Sequence, residues 1–97
     1  MYARLLVIHT EIKRIDDAAM LFEESVIPLC KEKKGYKGAS FMADRKTGKC
    51  ILITQWESEE HMLATEQSRF FQEQVVKFMG FFKSDPIREA YEVVIKD

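Results

Sequence analysis

The sequence predicts an α+β domain: a four-stranded antiparallel sheet with two helical regions on one of its faces. Three observations predict it. Short runs rich in Leu, Val, Ile and aromatic residues are bounded by polar breaks, as strands are. Longer stretches between them carry apolar residues at helical spacing. The order along the chain is strand, helix, strand, strand, helix, strand. That order is the split βαβ, or ferredoxin-like βαββαβ, pattern. It occupies the whole chain, so residues 1–97 are expected to form a single domain.

Tyr2 to Thr10 is the first predicted strand. Both of its parities are largely apolar, Tyr2, Arg4, Leu6 and Ile8 on one and Ala3, Leu5, Val7 and His9 on the other. Such a strand belongs in the middle of a sheet with both faces covered. Asp16 or Asp17 is placed to cap a helix reaching about Lys33, with Ile15, Ala18, Phe22, Val26 and Cys30 on one stripe. Pro28 lies inside that helix, lacks the N–H that would bond the Glu24 carbonyl, and predicts a kink. Gly35 ends it.

Tyr36 to Ala43 and Cys50 to Glu57 are the next two strands, a hairpin joined by the polar loop Asp44-Arg45-Lys46-Thr47-Gly48-Lys49. Ser58 is placed to cap the following helix, with Glu59 and Glu60 in its first turn. The polar stretch Thr65 to Ser68 predicts a break with a second cap at Ser68. A longer helix then runs from about Arg69 to Phe82, with Phe71, Val75, Phe78 and Phe82 as its main stripe. Ser84-Asp85-Pro86 punctuates, and Ile87 to Lys96 is the last strand. Helices on one face leave the other face of the sheet bare. Because that face is partly apolar, pairing with a second copy, sheet against sheet, is the expected cover.

Composition excludes several function classes. Apolar residues at 46% and charged residues at 32% describe a folded globular chain, not a disordered one. No apolar run approaches the ~20 residues needed to cross a bilayer, and the N-terminus, with Arg4 inside its first apolar stretch, does not read as a signal peptide. Fifteen Lys and Arg against sixteen Asp and Glu leave no bias toward nucleic acid or an anionic membrane. Cys30 and Cys50 are expected as reduced thiols in a cytoplasmic protein. No spacing of His, Cys or carboxylates suggests a metal site, and no glycine-rich phosphate loop is present.

Few residues are candidates for chemistry. His61 opens a charged helix and is expected at the solvated surface. His9 ends the first strand. It is either a hydrogen-bonded structural imidazole or, if its parity faces the helices, a ligand contact and proton acceptor at the mouth of a pocket. Trp56 is either a packing anchor or a flat wall for a planar ligand, and Tyr91 carries the same two readings. Arg4, Arg88, Glu89 and Glu92 lie on strands expected to be neighbours, where cross-strand ion pairs account for them.

Taken together, Tyr2-Ala3-Arg4 in a short first strand, the hairpin Asp44 to Lys49, Trp56-Glu57-Ser58-Glu59-Glu60 at a helix start and Arg88-Glu89-Ala90-Tyr91-Glu92-Val93 in a terminal strand resemble the antibiotic biosynthesis monooxygenase (ABM) family. The resemblance covers essentially the whole chain. It implies a ferredoxin-like subunit that pairs through its sheet into a dimeric α+β barrel, with a pocket between sheet and helices. It also implies a cofactor-independent monooxygenase acting on a small aromatic or quinone-like substrate. His9 would be the base, Trp56 and Tyr91 the walls, and Arg4 a partner for an enolate. The positions where the haem-degrading branch carries Asn, Trp and His hold Val7, Thr65 and Val75, which argues against haem degradation. Thr65 and Arg69 stand where many members carry helix histidines. The absence of those histidines keeps open an alternative, a non-catalytic dimeric binding or stress-related protein on the same fold.

Overall fold

The computed structural model describes residues 1–97. Four strands, β1 (Tyr2–His9), β2 (Tyr36–Asp44), β3 (Lys49–Trp56) and β4 (Ile87–Glu92), form one sheet in the order β2-β3-β1-β4, every neighbouring pair antiparallel. The most apolar strands, β1 and β3, occupy the centre, as burial on both faces demands. β4 stops at Glu92 rather than Lys96. Its partner β1 begins at Tyr2, opposite Glu92, and only the Val93 N–H to the Met1 carbonyl continues the pairing, at 2.8 Å.

The first helical region, α1, covers residues 15–30 and follows a 3-10 turn at Ile12–Arg14. Asp16 and Asp17 stand in its first turn, where they complement the helix dipole, but neither is the cap. Arg14 holds the cap position without a side-chain bond. Pro28 is accommodated by a widened turn. Between Ile15–Leu21 and Ile27–Cys30 the helix adopts π geometry over Phe22–Val26, and the Ile27 N–H reaches the Phe22 carbonyl. The helix ends at Cys30, before the expected Lys33, and the chain turns into β2 through Gly35 at φ 86°.

The second helical region is α2 (Glu59–Gln67) followed by α3 (Phe70–Val76) and a 3-10 turn at Met79–Phe81. Ser58 caps α2 as expected, its Oγ accepting the His61 N–H at 3.2 Å. Thr65 stays inside the helix because its hydroxyl donates back to the Met62 carbonyl at 2.7 Å. Ser68 closes α2 instead of opening α3, and the break falls at Arg69, the one non-glycine residue with positive φ.

All three helices cover one face of the sheet. The core there joins Leu6 and Ile8 of β1 and Cys50 and Leu52 of β3 to Phe22, Val26, Phe70 and Phe78 of the helices. The other face holds Leu5, Val7, Ile51 and Ile53 at its centre and Met42, Ile87 and Tyr91 toward its edges, the last three exposed. No helix is long and apolar enough to cross a membrane.

Candidate ligand site

The site lies between the sheet and α1, α2 and α3. The β1–β3 register sets Arg4 opposite Thr54 and Leu6 opposite Leu52, all four projecting toward the helices. Phe22 and Val26 come from the π turn of α1, and Phe70, Phe71 and Phe78 from α3 and its end. They enclose a cavity of about 40 Å³. That is room for water, not for an organic molecule, since ligand pockets run to ~300 Å³ or more.

Two polar side chains give this apolar cavity a chemical character. Gln74 is 8% exposed, and its buried Oε1 has no partner in the protein. Arg4 reaches in from β1. One terminal nitrogen pairs with Glu66 of α2 and the other donates to the Glu89 carbonyl at 3.4 Å, but its buried Nε is also without a protein partner. A buried donor or acceptor left unpaired costs about 1–3 kcal/mol. Arg4 and Gln74 thus put one unpaired donor and one unpaired acceptor in the wall of this cavity, both shielded from water in the closed structure. Arg88 of β4 approaches the same Glu66 carboxylate at 3.7 Å, so two guanidiniums share one carboxylate at the rim. This links sheet to helix, and it replaces the cross-strand ion pairs expected among Arg4, Arg88, Glu89 and Glu92. Glu66 went unremarked in the sequence because nothing in its spacing tells that α2 crosses β1 there.

Of the four candidate catalytic and binding residues, His9, Arg4, Trp56 and Tyr91, only Arg4 lines this cavity. His9 shares a parity with Leu5 and Val7, so it lies on the opposite face of the sheet, paired with Lys49, and it cannot act as base in this cavity. Tyr91, opposite Ala3, is on that same open face and 54% exposed. Trp56 does face the helices but is the packing anchor of the strand end. It is 2% exposed, its Nε1 donates to Thr54 Oγ1 at 3.0 Å, and Tyr36 meets it edge-on. His61 is half-buried rather than solvated, with Nδ1 2.7 Å from Ser58 Oγ and its ring where a Cβ on Gly35 would sit. Both cysteines are buried free thiols. Burial pushes the Cys30 thiol, on the cavity wall, up to about 11, although Lys77 and Lys33 oppose the shift, and burial also raises Cys50.

The fold has counterparts among known structures. A protein of Deinococcus radiodurans provisionally assigned as an antibiotic biosynthesis monooxygenase superposes with a TM-score of 0.76 at 11% identity, over 100% of this chain and 96% of that one. A monooxygenase from the gene ActVA-Orf6 of Streptomyces coelicolor, solved in complex with nanaomycin D, superposes at 0.70 with 14% identity, over 99% and 92%. Rv0793 of Mycobacterium tuberculosis does so at 0.73 with 8% identity, over 98% and 96%. The ferredoxin-like fold that the sequence predicted, shared with these proteins, is thus the fold of this chain. No protein-family model matches it. In sequence it is similar to the uncharacterized proteins Rv2557 and Rv2558 of Mycobacterium tuberculosis. These are 31% and 32% identical over 67 and 65 residues, 69% and 67% of this chain. The chain spans about 30% of the length of these curated relatives.

Proposed function

We propose that this chain is an ABM-like small-molecule-binding domain whose cavity between sheet and helices widens to hold a small aromatic or quinone-like ligand, and that it works as a homodimer. One observation carries the reading. In a cavity walled by phenylalanines, the Arg4 Nε and the Gln74 Oε1 are buried and unpaired by the protein. Aromatic walls favour a flat apolar body, and the two polar atoms orient a carbonyl or hydroxyl on it. The partner surface is the open sheet face, where Leu5, Ile53, Met42, Ile87 and Tyr91 form an apolar field. His9, on that face, is an interface residue in this reading.

The test is calorimetric or NMR titration with a panel of naphthols, quinols and naphthoquinones. Saturable binding in the micromolar range, weakened about tenfold in Arg4→Met, is the expected result. No binding by any member of the panel overturns the reading.

A second reading, catalysis, is favoured by the monooxygenase assignment of the Streptomyces coelicolor neighbour. In it the substrate enters as its phenolate, the proton left in bulk water, and then itself donates an electron to molecular oxygen, giving a substrate radical and superoxide. The protein supplies a dry cavity, and Arg4 stabilises the substrate anion. The Glu66 carboxylate beside Arg4 is already engaged by two arginines, so the binding reading is the better supported. Oxygen consumption with a quinol or anthrone that Arg4→Met abolishes would establish the second.

A further inference from the structure

The inner cavity is too small for a two-ring molecule, yet a larger cleft of about 310 Å³ lies directly against it, between α3 and β4. Leu6, Phe71 and Val75 belong to the walls of both. Leu6 is fixed in the central strand, and Val75 is short and stiff about χ1. Phe71 is different. It is half-buried, stands in the first turn of α3, and follows closely on Arg69, where φ of 69° interrupts the helix. First-turn N–H groups have no intrahelical partner, so this is the least firmly held part of α3. The guanidinium carbons of Arg4 and Arg88 lie 5.4 and 5.9 Å from the centre of its ring. The arginines that share Glu66 therefore also latch this ring.

Glutamines line both spaces, their unpaired oxygens shielded from water while Phe71 stands between them. Gln74, with its unpaired buried Oε1, lines the inner cavity. Gln72, also with an unpaired buried Oε1, lines the outer cleft. Both are acceptors, so both call for a donor on the ligand. The Arg4 Nε calls for an acceptor.

We infer that Phe71 is a gate whose rotation joins the inner cavity and the outer cleft into one site, and that this site takes a flat two-ring aromatic molecule bearing a hydroxyl at each end. The ligand class rests on the binding reading above; the gate does not. Spaces of 40 and 310 Å³ together fall within the range of small-molecule sites. The hydroxyls donate to Gln72 and Gln74, and the inner one also accepts from Arg4.

Cys30 supplies a ligand-free readout, because it lines the inner cavity and Cys50 does not. The experiment follows the modification of each cysteine by methyl methanethiosulfonate, resolved by peptide mass mapping. In Phe71→Ala, Cys30 is expected to react at least tenfold faster than in the wild type, with Cys50 unchanged. Phe71→Leu, which keeps most of the packing, moves in the same direction. An unchanged Cys30 rate in both variants, or a parallel rise at Cys30 and Cys50, overturns the gate. In the wild type, 1,5-dihydroxynaphthalene is expected to protect Cys30. The dimethoxy analogue, which cannot donate, protects about tenfold less well, and Gln72→Leu with Gln74→Leu removes the difference. Faster Cys30 modification without protection by the dihydroxy compound leaves the gate standing and overturns the ligand class. Binding of a panel member to the wild type and Phe71→Ala at equal rates, with Cys30 unprotected, overturns the gate and leaves the broader binding reading intact.

Discussion

The two faces of the sheet are built from the same two central strands, yet they solve opposite problems. On the helix side, Leu6, Ile8, Cys50 and Leu52 are sealed under three helices, and the few polar atoms there are conspicuous because water cannot reach them. On the other side, Leu5, Ile51 and Ile53 lie half-buried, with Met42, Ile87 and Tyr91 open beside them. A shift of one residue in register would exchange the two sets. What separates a ligand cavity from a partner surface here is therefore parity along β1 and β3, not overall hydrophobicity. His9 illustrates it: a single step along the strand from Ile8 places it on the wrong face for the chemistry first assigned to it.

This contrast can be broken experimentally, beginning with its strongest side. Phe78 is 1% exposed in the helix-side core, and Phe78→Ala is expected to destabilise the fold by about 3–5 kcal/mol in chemical denaturation. A loss under 1 kcal/mol would mean that the core does not depend on that ring. Leu5→Asp probes the open face. If that face joins two copies, the variant is a monomer by light scattering at concentrations where the wild type is a dimer, with dimer affinity lowered at least a hundredfold. A monomeric wild type would remove the open face as a partner surface.

Glu66→Gln sharpens the comparison on the sealed side. It leaves the Arg4 guanidinium, whose side chain is 12% exposed, without its carboxylate, and about 2 kcal/mol of stability is expected to go. Arg88→Gln, at the more exposed end of the cluster, is expected to lose under ~1 kcal/mol. Equal losses in urea denaturation would show that burial does not set the strength of this cluster.

The smallest effect lies away from both faces. Arg45 of the hairpin loop donates to both Asp16 oxygens, at 2.7 and 3.2 Å, and holds the Asp16 carboxyl below the usual carboxylate range. A carboxyl lowered by folding stabilises the folded state above its unfolded value, ~3.9, and that contribution fades as pH falls through the lowered value. The pair is exposed, so Asp16→Asn is expected to change the melting temperature only slightly near neutral pH and not at all at strongly acid pH. The opposite order in a pH series of melts would contradict the assignment.

Much of this molecule was legible from local pattern. Strand and helix order, the Ser58 cap, the hairpin and the bare sheet face all follow from periodicity and turn chemistry, which act over a few residues. The misplaced ends have nonlocal causes. β4 stops where β1 runs out, and the helical break falls at Arg69, a residue of no special turn preference that chain geometry holds at positive φ. The Arg4, Glu66 and Gln74 grouping was not legible, because those residues come from β1, α2 and α3 and meet only when the helices cross the sheet.

By itself, then, the sequence determined the α+β class, the order of the elements and the existence of two apolar sheet faces, since each depends on short-range alternation. Only the tertiary structure decided which face holds the cavity, which polar groups it isolates and which ring closes it. Strand register and helix placement choose among parities that alternation leaves equivalent, and that choice rests on packing between residues far apart in the chain.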